Sequence, residues 1–254
     1  MKLTALMATK ITNTVRNCPI EGGNVSAEEI EAAKRDLDER TFRQEFMATF
    51  ETYSGRIYYA FDRKENIIQH QEFDTSILHT GWDFNVDPMS VVIAVKQNDI
   101  MIIIDEIRIF GSNTQEACDE LNLRYPKSKI FAYPDPASRQ RKTSAGSNTD
   151  LTILQNAGFI VKCPNNHTPI RDRINAVNSR LRDVPGNRHL YLLNKCKYTI
   201  EGLERHTYKE GTMQPDKTSG YDHMMDALGY MIDYMFPIKR DLPPIEPQRW
   251  GHAI

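Results

Sequence analysis

Two segments rich in Val and Ile, Ser90 to Lys96 and Ile100 to Phe110, are separated only by Gln97-Asn98-Asp99. β-Branched runs on either side of an Asn-Asp turn define a hairpin, and Ile77 to Phe84 supplies a third strand just before it. The pattern then changes period. A helix over Asn113 to Tyr125 leads to a strand at Lys129 to Tyr133. A helix over Asp150 to Asn156 stops at Gly158 and feeds a strand at Phe159 to Cys163. Next come a helix at Ile170 to Arg182, a strand at His189 to Leu193, a helix near Thr199 to Thr207, and a last helix at Tyr221 to Phe236. Arg56 to Phe61 and Ile67 to Phe73 are shorter strand candidates. Three consecutive strands followed by alternating helices and strands predict a mixed α/β sheet covered by helices on both faces.

The flanks differ from this centre. Ser26-Ala-Glu-Glu29 has the form of a capping box, and the helix it opens carries Ile30, Ala33 and Leu37 on one stripe. Phe42, Phe46 and Phe50 repeat at i, i+4 and i+8 on a second helix. Residues 1–52 therefore form a helical arm or connector, too small to stand alone. Residues 53–240 form the α/β domain, and 241–254, with Pro243, Pro244 and Pro247, an irregular tail. Four scattered cysteines without a CxxC pair predict a reducing, intracellular setting. The longest apolar run, Ile100 to Ile104, is too short to span a membrane, and the first ten residues lack a signal-peptide cleavage site.

Net charge is −2, but its distribution is uneven. Lys129 to Lys217 holds 15 Lys/Arg against 8 Asp/Glu (+7), whereas residues 1–128 hold 14 against 21 (−7). Such asymmetry points to a polyanionic partner, although a solvated basic face has the same composition. Arg139, Arg141 and Lys142 lie in a Ser/Gly/Asn-rich stretch of the kind that grips phosphates.

Three acids stand out by position. Asp83 ends the strand containing Gly81-Trp-Asp-Phe-Asn85, on the same face as Gly81, which leaves open space for metals or a duplex backbone. A strand-end cap is the competing reading. Asp135 follows a strand within Tyr133-Pro-Asp-Pro-Ala137, where an Asp-Pro turn initiator competes with a site at the strand's carboxyl end. Asp226 lies on the last helix, three residues after His223. Its Met-rich stripe (Met224, Met225, Leu228, Met231) is core, while Asp222, Asp226, Gly229 and Asp233 face the other way. Asp222 and Asp233 are assigned to a solvated polar face, and Gly229 leaves room above Asp226. Carboxylates gathered from strand ends and a helix can hold divalent metals. Asp105 and Glu106 alternate faces and are read as strand-end salt-bridge formers, with assistance to a metal site as the competing reading. His167, His189 and His206 lack HxxxH or HExxH spacing, and no GxxxxGK[ST] segment is present.

With these motifs in order, the chain resembles, over about Thr52 to Pro237, the C-terminal nuclease domain of the large terminase subunit of tailed bacteriophages. The resemblance rests on the Gly-Trp-Asp strand, the hairpin ending in Asp-Glu, Tyr-Pro-Asp-Pro-Ala-Ser, and above all Tyr-Asp-His-Met-Met-Asp-Ala-Leu-Gly-Tyr. Ser26 to Gly55 is similar to the connector before that domain. The resemblance implies a ribonuclease H-like fold and an endodeoxyribonuclease, a phosphodiester hydrolase that cuts concatemeric double-stranded viral DNA during packaging. It implies that Asp83 bridges two Mg²⁺ or Mn²⁺ ions about 4 Å apart, with Asp135 and Asp226 completing their coordination. His223 would be an auxiliary ligand or would orient the phosphate.

The packaging ATPase of such proteins is missing from this sequence, so the resemblance implies a nuclease portion whose motor lies elsewhere. Implied partners are double-stranded DNA, the terminase ATPase portion, the small terminase subunit and the portal, with no membrane, in the cytoplasm of the infected host. A junction resolvase or transposase-like nuclease of the same fold, or a non-catalytic docking module for DNA or protein, are the competing readings.

Overall fold

The computed structural model describes residues 25–47, 55–69, 71–85, 87–139 and 149–238. The expected hairpin is at its centre. Strands β3 (Met89–Gln97) and β4 (Ile100–Ile109) pair antiparallel, with Gln97 opposite Ile100. The turn is therefore just Asn98-Asp99, and Asn98 takes a left-handed φ of 55°, which its short polar side chain tolerates. Strand β2 (Ile77–Asp83) pairs antiparallel with β3 and parallel with β5 (Lys129–Pro134). With β1 (Ile67–Ile68), β6 (Ile160–Val161) and β7 (Leu190–Leu193), the sheet has seven strands among the described residues, in the order β1-β7-β4-β3-β2-β5-β6.

In chain order the helices are α1 (Ala27–Asp36), α2 (Glu39–Phe46), α3 (Arg63–Asn66), α4 (Thr114–Arg124), α5 (Asp150–Asn156), α6 (Ile170–Leu181), α7 (Lys197–Arg205) and α8 (Asp222–Met235). Helices lie on both faces, as neighbouring residues of β4 show. Asp105 reaches Arg124 and Tyr125 at the end of α4 (3.2 and 3.0 Å), whereas Glu106, pointing the other way, accepts bonds from Tyr198 and Thr199 at the start of α7. Asp105 is thus the expected salt-bridge former, and Glu106 instead caps a helix. Trp82, Ile93, Ile103 and Leu190 are fully buried in the core. No helix among the described residues is long and apolar enough to cross a membrane.

The capping box at Ser26 is formed in both directions, with Glu29 N–H donating to Ser26 and Ser26 N–H to Glu29. Phe42 and Phe46 stack with centroids 5.1 Å apart; Phe50 lies outside the described residues. The arm meets the domain through a bond from Val184 N–H to the Lys34 carbonyl and one from the Tyr59 hydroxyl to Asp38 at the start of α2. Arg56 to Phe61 is not a strand: only Arg56 bridges to Thr207, and a turn from Tyr58 to Phe61 drives Ile57, Tyr58 and Phe61 into the core. Of the described residues from Ile67 to Phe73, only Ile67–Ile68 pairs.

Candidate active site

The register of two neighbouring strands places the first two acids. Trp82 of β2 pairs with Pro134 of β5, and the next residue on each parallel strand is Asp83 and Asp135. The carboxyl ends of adjacent parallel strands thus present two carboxylates side by side. Asp135 also initiates the turn expected of an Asp-Pro pair. Its Oδ1 accepts from Ala137 N–H at 3.0 Å, its carbonyl accepts from Ser138, and a 3₁₀ turn follows over Pro136–Arg139.

Helix α8 crosses β2 and brings the third acid. Asp83, Asp135 and Asp226 line one open cleft of about 330 Å³ together with Asn85, Asp150, Lys217, Asp222, His223 and Tyr230. His223 Nδ1 is 3.0 Å from Asp83 Oδ2, and the Asn85 amide lies against the imidazole at 3.0 and 3.1 Å. The bond to Asp83 raises the His223 pKa above the usual imidazole range, against partial burial. Burial pushes the Asp226 carboxyl upward, and Arg173 pulls it back. Arg173, only 7% exposed, donates to Asp226 Oδ1 at 2.8 Å and stacks 4.1 Å over the Tyr230 ring. Lys217 Nζ lies 3.7 Å from Asp226 Oδ2. His167 comes within 3.5 Å of Asp135.

Several expectations are corrected. The face beside Gly81 is not open: α8 fills it, and a Cβ at Gly81 would fall 2.0 Å from the Ala227 carbonyl oxygen. The space above Gly229 is taken by the stem of Arg173, whose Cβ would lie 3.7 Å away from an added methyl. Asp222 and Asp233 are not on a solvated face, being 4% and 9% exposed, because α6, with Arg173 beside Gly229, packs against that side of α8. Asp222 faces the cleft, with Oδ1 lacking a hydrogen-bond partner and 3.8 Å from His223 Nε2. Asp233 takes a bond from Thr168, and burial raises its pKa. Arg139 ends the 3₁₀ turn, and its side chain, with Arg141 and Lys142, lies outside the described residues.

The donor chemistry fits hard divalent cations: carboxylates from three elements face one cleft, an imidazole sits among them, and a buried Asp222 oxygen has no donor. Among the described residues, no three His, Cys, Asp or Glu groups converge on a single point. Cationic and imidazole groups fill the space instead, Arg173 and Lys217 at Asp226 and His223 at Asp83. Sequence reasoning missed Arg173, Lys217, Asn85 and Tyr230. Only the Tyr230 position, one turn beyond Asp226 on the same helix, carried a local signal.

No protein-family model and no curated protein matches the sequence. Solved structures do match. The large terminase of a thermophilic bacteriophage aligns with a TM-score of 0.63 at 18% identity, over 82% of this chain and 52% of that one. The P22 large terminase nuclease domain aligns with a TM-score of 0.53 at 18% identity, over 72% of this chain and 94% of that domain. The large terminase nuclease of another thermophilic phage, G20c, with bound cobalt, gives 0.51 at 11%, covering 72% and 98%. This chain spans about half the length of the first of these proteins and matches nearly all of the P22 domain.

Among the described residues, the seven-stranded mixed sheet flanked by helices is an α/β fold consistent with the ribonuclease H-like arrangement. Within that class its fold is that of the phage large-terminase nuclease domain.

Proposed function

We propose that this chain is a metal-dependent endodeoxyribonuclease of phage DNA packaging, cutting concatemeric double-stranded viral DNA. One observation carries the reading: Asp83 and Asp135 directly follow the paired residues Trp82 and Pro134 at the ends of adjacent parallel strands and share a cleft with Asp226 of α8. In this reading the chain works in the cytoplasm of the infected host, beside a terminase ATPase portion, a small terminase subunit and a portal. Two ions, Mg²⁺ or Mn²⁺, held by Asp83, Asp135 and Asp226 would supply activation of water and neutralisation of charge on the leaving oxygen.

The chain's own groups set the stage for that chemistry. His223 orients Asp83 through its Nδ1, a bond that shifts the imidazole pKa upward, and faces the cleft where it can meet a phosphate oxygen. Arg173 fixes Asp226 from behind. Water is the nucleophile, because the described side chains lining the cleft offer no activated one. The Ser138 hydroxyl is committed to the Asp135 carbonyl, and burial pushes the Tyr230 phenol far above the working pH. Arg139, Arg141 and Lys142 grip the backbone of the duplex.

The test is cleavage of supercoiled plasmid with Mg²⁺, Mn²⁺ or EDTA in parallel. Cutting is expected with metal and absent with EDTA, and Asp83→Ala and Asp226→Ala should abolish it while DNA binding survives. Full cleavage by either variant rules the assignment out.

A further inference from the structure

The two oxygens of Asp226 have different kinds of partner. Oδ1 is bound at 2.8 Å by Arg173, a buried side chain whose guanidinium lies over the Tyr230 ring and whose stem runs beside Gly229. A buried planar guanidinium with a hydrogen bond and a ring contact is far less free to leave than an exposed ammonium. Oδ2 faces Lys217 at 3.7 Å, inside ion-pair range but beyond a hydrogen bond, and that side chain is 57% exposed. Lysine is a hydrated point charge on a flexible stem, so this second contact is weak and easily broken. Lys217 also lines the same cleft as Asp83 and Asp135.

We propose that Lys217 is an exchangeable cation of the site: it holds Asp226 Oδ2 until a divalent ion takes that oxygen, then turns to a DNA phosphate. This rests on Asp226 being a metal ligand. An ammonium and a divalent ion cannot share one oxygen without strong repulsion. A phosphate entering the cleft draws the lysine away and so favours the ion. By linkage, bound metal favours the duplex to the same extent. Arg173 has the opposite role. Remaining on Oδ1, it keeps Oδ2 aimed at the cleft and is a positioning residue.

The experiment is Mn²⁺ binding to the full chain, read by the electron paramagnetic resonance of free Mn²⁺. It is run with and without a short duplex whose phosphorothioate linkages resist cutting. Lys217→Gln is expected to bind Mn²⁺ about threefold tighter than wild type in the absence of DNA, the scale of an exposed ion pair. The gain in Mn²⁺ affinity that duplex confers on wild type should shrink by the same factor in this variant. Arg173→Gln, checked for folding by circular dichroism, should bind Mn²⁺ more weakly. If Lys217→Gln binds Mn²⁺ no tighter, or duplex helps both proteins equally, the exchange is overturned. Equal tightening by both variants also overturns it, since the site would then respond to net charge alone. If wild type binds no Mn²⁺, it is the metal-nuclease reading that fails. Lys217→Gln decides the question by itself should Arg173→Gln not fold.

Discussion

Gly81 of β2 lies directly beneath the backbone of Ala227 on α8, so close that an added Cβ would stand 2.0 Å from the Ala227 carbonyl oxygen and 3.1 Å from the Met231 Cβ. The missing side chain lets the helix that carries Asp226 and His223 rest on the strand that carries Asp83. Gly81→Ala must push α8 away, and overpacking of this kind costs about 1–3 kcal/mol or more. Its urea midpoint should fall accordingly, and plasmid cleavage should drop even in the folded fraction. Gly229→Ala is the contrast. Its new methyl would meet Arg173 Cβ at an ordinary 3.7 Å, and Ala replaces Gly inside a helix, a gain of up to about 1 kcal/mol. Unchanged or higher stability is expected there, and a loss as large as that of Gly81→Ala would refute the packing account.

Local patterns were legible in the sequence, and long-range approaches were not. The β3–β4 hairpin, α5 at Asp150–Asn156 and the apolar stripe of α8 all follow from periodicity and turn residues, which act over a few positions. Gly81 was read as open space because strand alternation shows which face a residue takes and not what arrives there. Asp222 and Asp233 were placed in water for the same reason, as periodicity separates the faces of α8 without revealing that α6 covers the polar one. Arg173 sits on another helix, 53 positions from Asp226, and has no sequence signal. Asp83 and Asp135 were singled out by their place at strand ends, but only the Trp82–Pro134 register shows that they are neighbours.

The His223–Asp83 bond makes stability depend on pH in a defined direction. His223 faces Asp83, Asp222, Asp226 and the amide of Asn85, and its folded pKa is raised first by the bond to Asp83. A raised folded pKa means the folded state binds the proton more tightly. The stabilisation is therefore complete below the unfolded value of about 6.5 and is lost as pH rises through the higher folded value. In EDTA, wild type should lose more of its melting temperature between pH 6 and 8.5 than His223→Asn does. Parallel curves for the two proteins would show that the bond contributes nothing to this dependence.

Glu106 acts as a cap supplied from outside the helix it serves. Cys196 at the N-cap of α7 makes no side-chain cap bond, and Glu106 of β4 accepts instead from Tyr198 N–H (2.9 Å), Thr199 N–H (2.8 Å) and the Thr199 hydroxyl (2.8 Å). A carboxylate there also complements the positive end of the helix dipole. Loss of such a cap costs about 0.5–2 kcal/mol. Glu106→Ala should lower the unfolding free energy from urea denaturation by that amount, with Glu106→Gln losing less because it keeps an acceptor. Equal losses in both would mean that the charge, and not the hydrogen bonds, holds the helix end.

The Arg173–Asp226 pair is mostly buried, so its two members should be energetically coupled. Removing one partner of a buried pair leaves an uncompensated charge and costs about 3–5 kcal/mol when both are fully enclosed. Asp226 keeps some exposure toward the cleft and a second cation in Lys217, which reduces the cost. Arg173→Met is therefore expected to destabilise by about 2–3 kcal/mol. Asp226→Asn should cost at least as much, because it leaves the Arg173 guanidinium, the more buried member and one that cannot shed its charge, without its counter-charge, whereas an orphaned Asp226 can take up a proton. In the double variant the buried charge and its partner are both gone, and the loss should fall short of the sum by about 1–2 kcal/mol. The measurement is a double-mutant cycle from urea denaturation in EDTA. Strict additivity would show that Arg173 holds α6 against α8 through Tyr230 alone, and that Asp226 is positioned by something else.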